Sequence, residues 1–176
     1  MPNVFLPDNT VLINFAIIRR MDLLAELLKG QGSWCISIAR ECQQSQAYYP
    51  DLAQAGAIFG TPLTPDRMEY EDTRILRDAM VSPGDHSTKH LGEAETIAIM
   101  TRRHIDGFFL TDDYEARNLA IRNHIPVVTT WDLLRLAHKT SKVTKAVLVG
   151  YLRTLKSQQR GSPPGITDPD HLDGWL

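Results

Sequence analysis

Five acidic side chains stand where this chain could do metal chemistry: Asp8 in VFLPDNTVLINF, Glu41 in CISIARECQQS, Glu93 in LGEAETIAIM and the Asp112/Asp113 pair in GFFLTDDYEAR. Each falls where a strand hands over to a helix or on the inward side of a helix. In an open parallel sheet, ligands collect outside the carboxyl ends of the strands, so carboxylates remote in sequence can meet there. Converging carboxylates repel one another, and a bound divalent cation is the usual reason they are tolerated. Mg²⁺ or Mn²⁺, held by a few carboxylates and several waters, can polarise a phosphodiester and lower the pKa of an attacking water. Such a site needs no nucleophilic side chain.

Each acid also has a plainer use. Asp8 and Asp112 can act as helix N-caps, accepting hydrogen bonds from unpaired backbone amides. Asp112 with Glu115 has the spacing of a capping box. At the 112/113 pair one aspartate can cap the helix YEARNLAIRNH while the other reaches into the cleft, and the sequence leaves open which does which. Residues two apart on a helix face different ways. Glu93 shares its face with Ile97, Met100 and His104, whereas Glu95 lines up with Ile99 and Arg102. Glu93 is therefore the predicted inward residue and Glu95 the one with the more polar outlook.

The elements that must position these residues alternate. Strands are predicted at 4–6 (VFL), 34–38 (WCISI), 107–111 (GFFLT) and 127–130 (VVTT), with longer helical patterns between them. The helical patterns are TVLINFAIIRR running on into MDLLAELLKG, ARECQQSQAYY, DRMEYEDTRILRDAM, GEAETIAIMTRRH, YEARNLAIRNH, WDLLRLAHKT and SKVTKAVLVGYLRTLKSQQR. This order favours right-handed crossovers and a parallel sheet. Residues 81–90 (VSPGDHSTKH) read as a loop opening into the Glu93 helix. Past Arg160, Pro163 and Pro164 block any continuing helix, so residues 161–176 are expected to be a flexible tail trailing in solvent.

With 176 residues and 43% hydrophobic content, the chain can fill one globular core. A net charge of -2 excludes a binder that works by bulk positive charge, so any contact with nucleic acid must come from local patches. Cys35 and Cys42 form neither a metal-type pair nor a disulfide framework, which points to a reduced, cytoplasmic setting. No basic leader opens the sequence and no apolar run is long enough to span a bilayer, so neither export nor a membrane is expected.

The motifs together resemble the PIN domain nucleases. VFLPDNTVLINF is similar to their first motif, an aspartate ending the first strand before a Leu/Ile-rich helix. ISIARECQQ resembles the second, LGEAETIAIM the Gly-Glu-Ala helix of many members, and FLTDDYEARNLA the last acidic motif. Their order, spacing and the trailing VVTTWDLL extend the resemblance over about residues 3–140. One departure is Asn9-Thr10 after Asp8, where the family more often has a small hydroxyl residue directly after the aspartate. The resemblance implies a three-layer α/β/α domain over residues 1–160 with a central, mostly parallel sheet of four to five strands. It implies Mg²⁺- or Mn²⁺-dependent hydrolysis of RNA, with Asp8, Glu41, Glu93, Asp112 and Asp113 as catalytic residues and Asp8, Glu93, Asp112 and Asp113 as metal ligands. Members of similar size are bacterial toxins of the VapC type, so a small antitoxin partner and a homodimer are implied as well.

Other constellations carry less. His86 and His90 lie in a Pro/Gly/Ser-containing loop without a third ligand, which argues against zinc. AQAGAIFGTP lacks the third glycine and the strand-turn-helix setting of a dinucleotide loop. Residues 133–160 are basic and contain no Asp or Glu, and on one helix Lys142, Lys145, Arg153, Lys156 and Arg160 would form a stripe. That stripe is a solvated face, a docking face for an acidic partner or a phosphate track, and in the last case Lys142, Lys145, Arg153 and Lys156 would be RNA contacts. The tail adds Asp168, Asp170 and Asp173, then Trp175 and Leu176. The rival to a nuclease is a non-catalytic RNA- or protein-binding module that keeps the fold.

Overall fold

A computed structural model of the chain describes residues 3–172 and 174–176; Asp173 lies outside the described residues. Three parallel strands, β1 (Val4–Pro7), β2 (Gly107–Leu110) and β3 (Val127–Val128), lie in the order β1-β2-β3. Phe5 pairs with Phe108, Leu6 with Phe109, and Leu110 with Val128. Because side chains alternate across a pleated sheet, Leu6 and Phe109 face one apolar cluster while Phe5 and Phe108 face the other. Helices cover both faces, giving the expected parallel α/β architecture.

The sheet has three strands rather than four to five. WCISI at 34–38 is not a strand: Cys35 makes a single bridge to Leu63, and helix α3 (Ile36–Ser45) starts at the next residue. A second isolated bridge joins Phe5 to Gly32. Only the Cys35 bridge falls in a predicted strand beyond those observed, and a short apolar run with two β-branched residues does not by itself tell a strand from a buried helix start. VVTT is likewise cut short, because Thr129 caps helix α8 (Thr130–Lys139) with a capping box to Asp132.

The first helical pattern breaks into α1 (Asn9–Ile17) and α2 (Met21–Leu28) at Arg19, whose φ is 55°. A 3-10 helix (Pro50–Gln54) leads into α4 (Ala55–Phe59), and α5 (Arg67–Asp78) packs beside α6 (Leu91–Arg102). Arg77 donates to the carbonyls of His86 (3.0 Å) and Lys89 (2.9 Å), so the 81–90 loop is pinned to α5. Helix α7 (Tyr114–Arg122) follows β2. The last helix, α9 (Lys145–Ser157), is shorter than predicted, because Thr144 caps it and Gln159 turns left-handed at φ 57°.

Residues beyond α9 lie against the domain rather than trailing in solvent. Leu172 is fully buried, and Ile166, Trp175 and Leu176 pack on the larger core cluster. Arg153 pairs with Asp170, and Lys156 donates to the carbonyl of Thr167 at 2.5 Å. Two of the stripe's cations thus hold the tail. Among the described residues no helix is long and apolar enough to cross a membrane.

Candidate acidic active site

Asp8 ends β1. Its amide donates to Leu110 O at the end of β2 (2.8 Å), which ties the two carboxyl ends together. Its side chain is 1% exposed and caps α1 through the amides of Thr10 and Val11. The Thr10 hydroxyl also donates to Oδ1, and the Thr111 hydroxyl donates to Oδ2. The departure at Asn9 is thereby resolved: Thr10 supplies the hydroxyl one residue later, while Asn9 turns to Ser45 Oγ at 3.0 Å. Capping and site membership, posed as alternatives by the sequence, coincide in this one residue.

Asp112 and Asp113 divide their work. Asp113 caps α7, accepting from the Ala116 amide at 2.8 Å. Asp112 turns inward and accepts from Thr130 N (2.8 Å), Thr130 Oγ1 (2.5 Å) and Asn14 Nδ2 (2.9 Å). The capping-box spacing of Asp112 with Glu115 was therefore misleading, since Asp113 holds the cap.

Glu41 and Glu93 are brought together by Gly92. A Cβ there would stand 2.3 Å from Ile38 Cδ1 and 3.0 Å from Glu41 Oε1, so only glycine lets α6 approach α3 this closely. The assignment of a polar outlook to Glu95 is corrected. Glu95 is 3% exposed, deeper than Glu93, and accepts from the amide (2.9 Å) and hydroxyl (2.8 Å) of Ser37. Cys35, the N-cap residue of α3, makes no side-chain cap bond. Glu95 takes that role from a neighbouring helix, where a carboxylate also suits the positive end of the helix.

Electrostatics bind four of the acids into one group. Burial pushes Asp8 up to about 7, helped by the charges of Glu93 and Asp112 and opposed by its two threonine hydroxyls. Burial, then Glu93 and Asp8, push Glu41 up to about 8. Asp112 is also raised by burial, against hydrogen bonds from Thr130 and Asn14 and the positive charge of Arg160.

Among the described residues no group of three or more His, Cys, Asp or Glu side chains could hold a metal ion as it stands. The donor chemistry nevertheless fits a hard divalent cation: the donors are carboxylate oxygens, and their mutual repulsion is what such an ion relieves. The buried Nδ1 of His90 has no hydrogen-bond partner and lies 3.5 Å from Glu93 Oε1. A cleft of about 430 Å³ opens here, lined by Arg40, Glu41, Lys89, His90 and Glu93 among others. His86 instead meets Thr88 on the exposed loop.

Of the stripe, Lys142 lies ahead of α9 and pairs with Glu26, while Lys145 sits in the first turn of α9. Arg160 leaves the stripe altogether and reaches Asn14 and Thr10. Asn14, Thr111, Thr130 and Arg160 were not foreseen as site residues. Asn14 did carry a signal, as the one amide in the apolar run VLINFAII. Cys35 and Cys42 are buried free thiols.

A family model described as a PIN domain matches residues 4–161. The chain belongs to the PIN domain family, a nuclease fold whose members typically use divalent metals. No curated protein and no solved structure gives a significant match.

Proposed function

We propose that this PIN domain is a divalent-metal-dependent ribonuclease, with Asp8, Glu41, Glu93 and Asp112 as its acidic centre. The observation that carries the reading is the electrostatic coupling of these four, drawn from two strand ends and two helices, with carboxyl groups at Asp8 and Glu41 that keep their protons to about 7 and 8. Mg²⁺ or Mn²⁺ at this centre would supply Lewis-acid activation of water and of the scissile phosphate. The chain's own residues do the positioning. Thr10 and Thr111 fix both oxygens of Asp8; Thr130 and Asn14 fix Asp112; Gly92 sets the approach of Glu41 to Glu93. Arg40 and Lys89 flank the adjoining cleft with charge suited to phosphates. Asp113 serves the centre indirectly, by holding the start of α7.

The test is cleavage of a labelled single-stranded RNA with Mn²⁺, with Mg²⁺ and with EDTA, using the wild type and Asp8→Asn. Cleavage that needs metal and is abolished in Asp8→Asn is expected. Cleavage in EDTA, or an active Asp8→Asn, overturns the assignment. Absent cleavage, together with a melting temperature indifferent to Mn²⁺, favours the non-catalytic module, since an ion bound to the folded state must raise stability. The finer reading, a homodimeric toxin neutralised by a small antitoxin, is supported by the resemblance of the motifs alone. Co-purification with the product of a short neighbouring open reading frame tests it.

A further inference from the structure

We propose that Arg160 is a positioning residue for this site: by donating to Asn14 it fixes which way the Asn14 amide faces, and so holds Asp112 in place. The proposal rests on the ribonuclease reading for its kinetic consequence and on geometry for the rest. A guanidinium only donates hydrogen bonds. Arg160 Nε lies 2.7 Å from Asn14 Oδ1, which obliges the oxygen to face Arg160. The NH₂ group then faces the other way, donating to Asp112 Oδ2 (2.9 Å) and Thr130 Oγ1 (3.1 Å). Turned over, the amide would set its oxygen against the carboxylate and its NH₂ against the guanidinium. Asn14 is 1% exposed, so water cannot repair that arrangement.

The same guanidinium donates through Nη2 to the carbonyl of Thr10 (3.3 Å), the residue whose amide and hydroxyl hold Asp8. One side chain therefore braces the supports of both aspartates. Its delivery is built into the end of α9. The left-handed Gln159 turns the chain, the Arg160 amide bonds back to Leu155 O (2.9 Å), and Gly161 (φ +90°) passes beside Trp131 before the tail packs down.

The experiment compares Arg160→Gln, Arg160→Lys, Asn14→Ala and the Arg160→Gln/Asn14→Ala double variant with the wild type. Its readouts are kcat and KM on labelled single-stranded RNA with Mn²⁺, and hydrogen exchange of the Asn14 side-chain amide by NMR. Arg160→Gln is expected to lower kcat by about tenfold to a hundredfold with KM moved by less than about twofold, as for a small misplacement of a reacting group. Arg160→Lys recovers part of that loss, since an ammonium can still donate to Oδ1. In the Asn14→Ala background the Arg160 change adds little. Exchange of the Asn14 amide quickens by roughly tenfold or more in Arg160→Gln, whether or not RNA is cleaved. A raised KM with intact kcat, additive losses in the double variant, or unchanged amide exchange overturns the proposal. If the wild type cleaves no RNA, or Asp8→Asn cleaves as well as it does, the ribonuclease reading falls, while amide exchange still decides the Arg160–Asn14 link. Should Arg160→Gln fail to fold, Arg160→Lys carries the same readouts: partial loss of kcat and faster exchange support the proposal, and wild-type values in both overturn it.

Discussion

Glu41 Oε1 lies 3.0 Å from the point where a Cβ on Gly92 would stand, so the spacing of two acidic helices is set by a hydrogen atom in place of a methyl group. The same Cβ would meet Ile38 Cδ1 at 2.3 Å in a fully buried setting. Gly92→Ala gains up to about 1 kcal/mol of helix propensity. Overpacking costs about 1–3 kcal/mol. The expected net result is a modestly lower melting temperature with a larger proportional loss of RNA cleavage, because Glu41 must move away from Glu93. A variant as active and as stable as the wild type would remove the close approach from the account.

Glu93 and Glu95 should separate by the kind of loss they produce. Glu95→Ala leaves the amide and hydroxyl of Ser37 without their acceptor in a buried place, a cost of about 1–3 kcal/mol. Glu93→Gln removes a charge from the acidic centre while keeping the shape, so cleavage should fall with stability unchanged or raised. Urea titration beside the RNA assay checks this. Equal effects of the two variants on both measurements would contradict the division.

The metal-free protein should lose stability as pH rises from about 5 to about 8. Folded Asp8 and Glu41 titrate near 7 and 8, whereas in the unfolded chain both ionise near 4. Across that window the folded state holds protons that the unfolded state has released, so the free energy of unfolding falls with rising pH. Carboxylates lowered by partners, such as Glu69 beside Arg103, act below the window, where their contribution is lost as pH drops. In EDTA the melting temperature should drop by on the order of 5 °C or more between pH 5.5 and 8.5. Asp8→Asn should flatten the slope, and Mn²⁺ should raise the melting temperature most at the alkaline end. A flat or rising profile for the metal-free wild type would contradict the burial of these acids.

How much of this was legible depended on whether the signal was local. Asp8, Glu41, Glu93 and Asp112 stood out because charge beside a strand end or inside a helix motif is a local pattern, and the chain order of strands and helices gave the parallel α/β fold. Glu95 was misread because its partner, Ser37, lies on a different helix; helix phase ranks outlook within one helix and cannot see an uncapped neighbour. WCISI misled because Trp34 and Cys35 do extend toward Leu63 before the helix begins. Arg160 looked like one more cation on a stripe, and only the left-handed turn at Gln159 sends it inward. The tail's docking could not be read from its prolines, which forbid a helix without saying what lies beneath them.

That docking gives the last prediction. Leu172 is fully buried with Trp175 and Leu176 beside it, and the tail is pinned by Arg153 to Asp170 and by Lys156 to Thr167 O. A leucine in solvent can be cut to alanine at almost no cost, whereas a buried one leaves a cavity. Leu172→Ala should therefore destabilise the protein by about 2–5 kcal/mol in urea titration. Arg153→Gln should cost far less, because its ion pair with Asp170 is exposed and screened by solvent. It should nevertheless speed proteolysis within residues 161–176 by loosening the tail's grip. If both substitutions are silent, the tail does not pack on the domain in solution, and Arg153 and Lys156 return to the pool of cations open to phosphates. In that case the salt dependence of RNA binding should weaken when Lys145 and Arg153 are changed together to Gln, by a slope of at most about two.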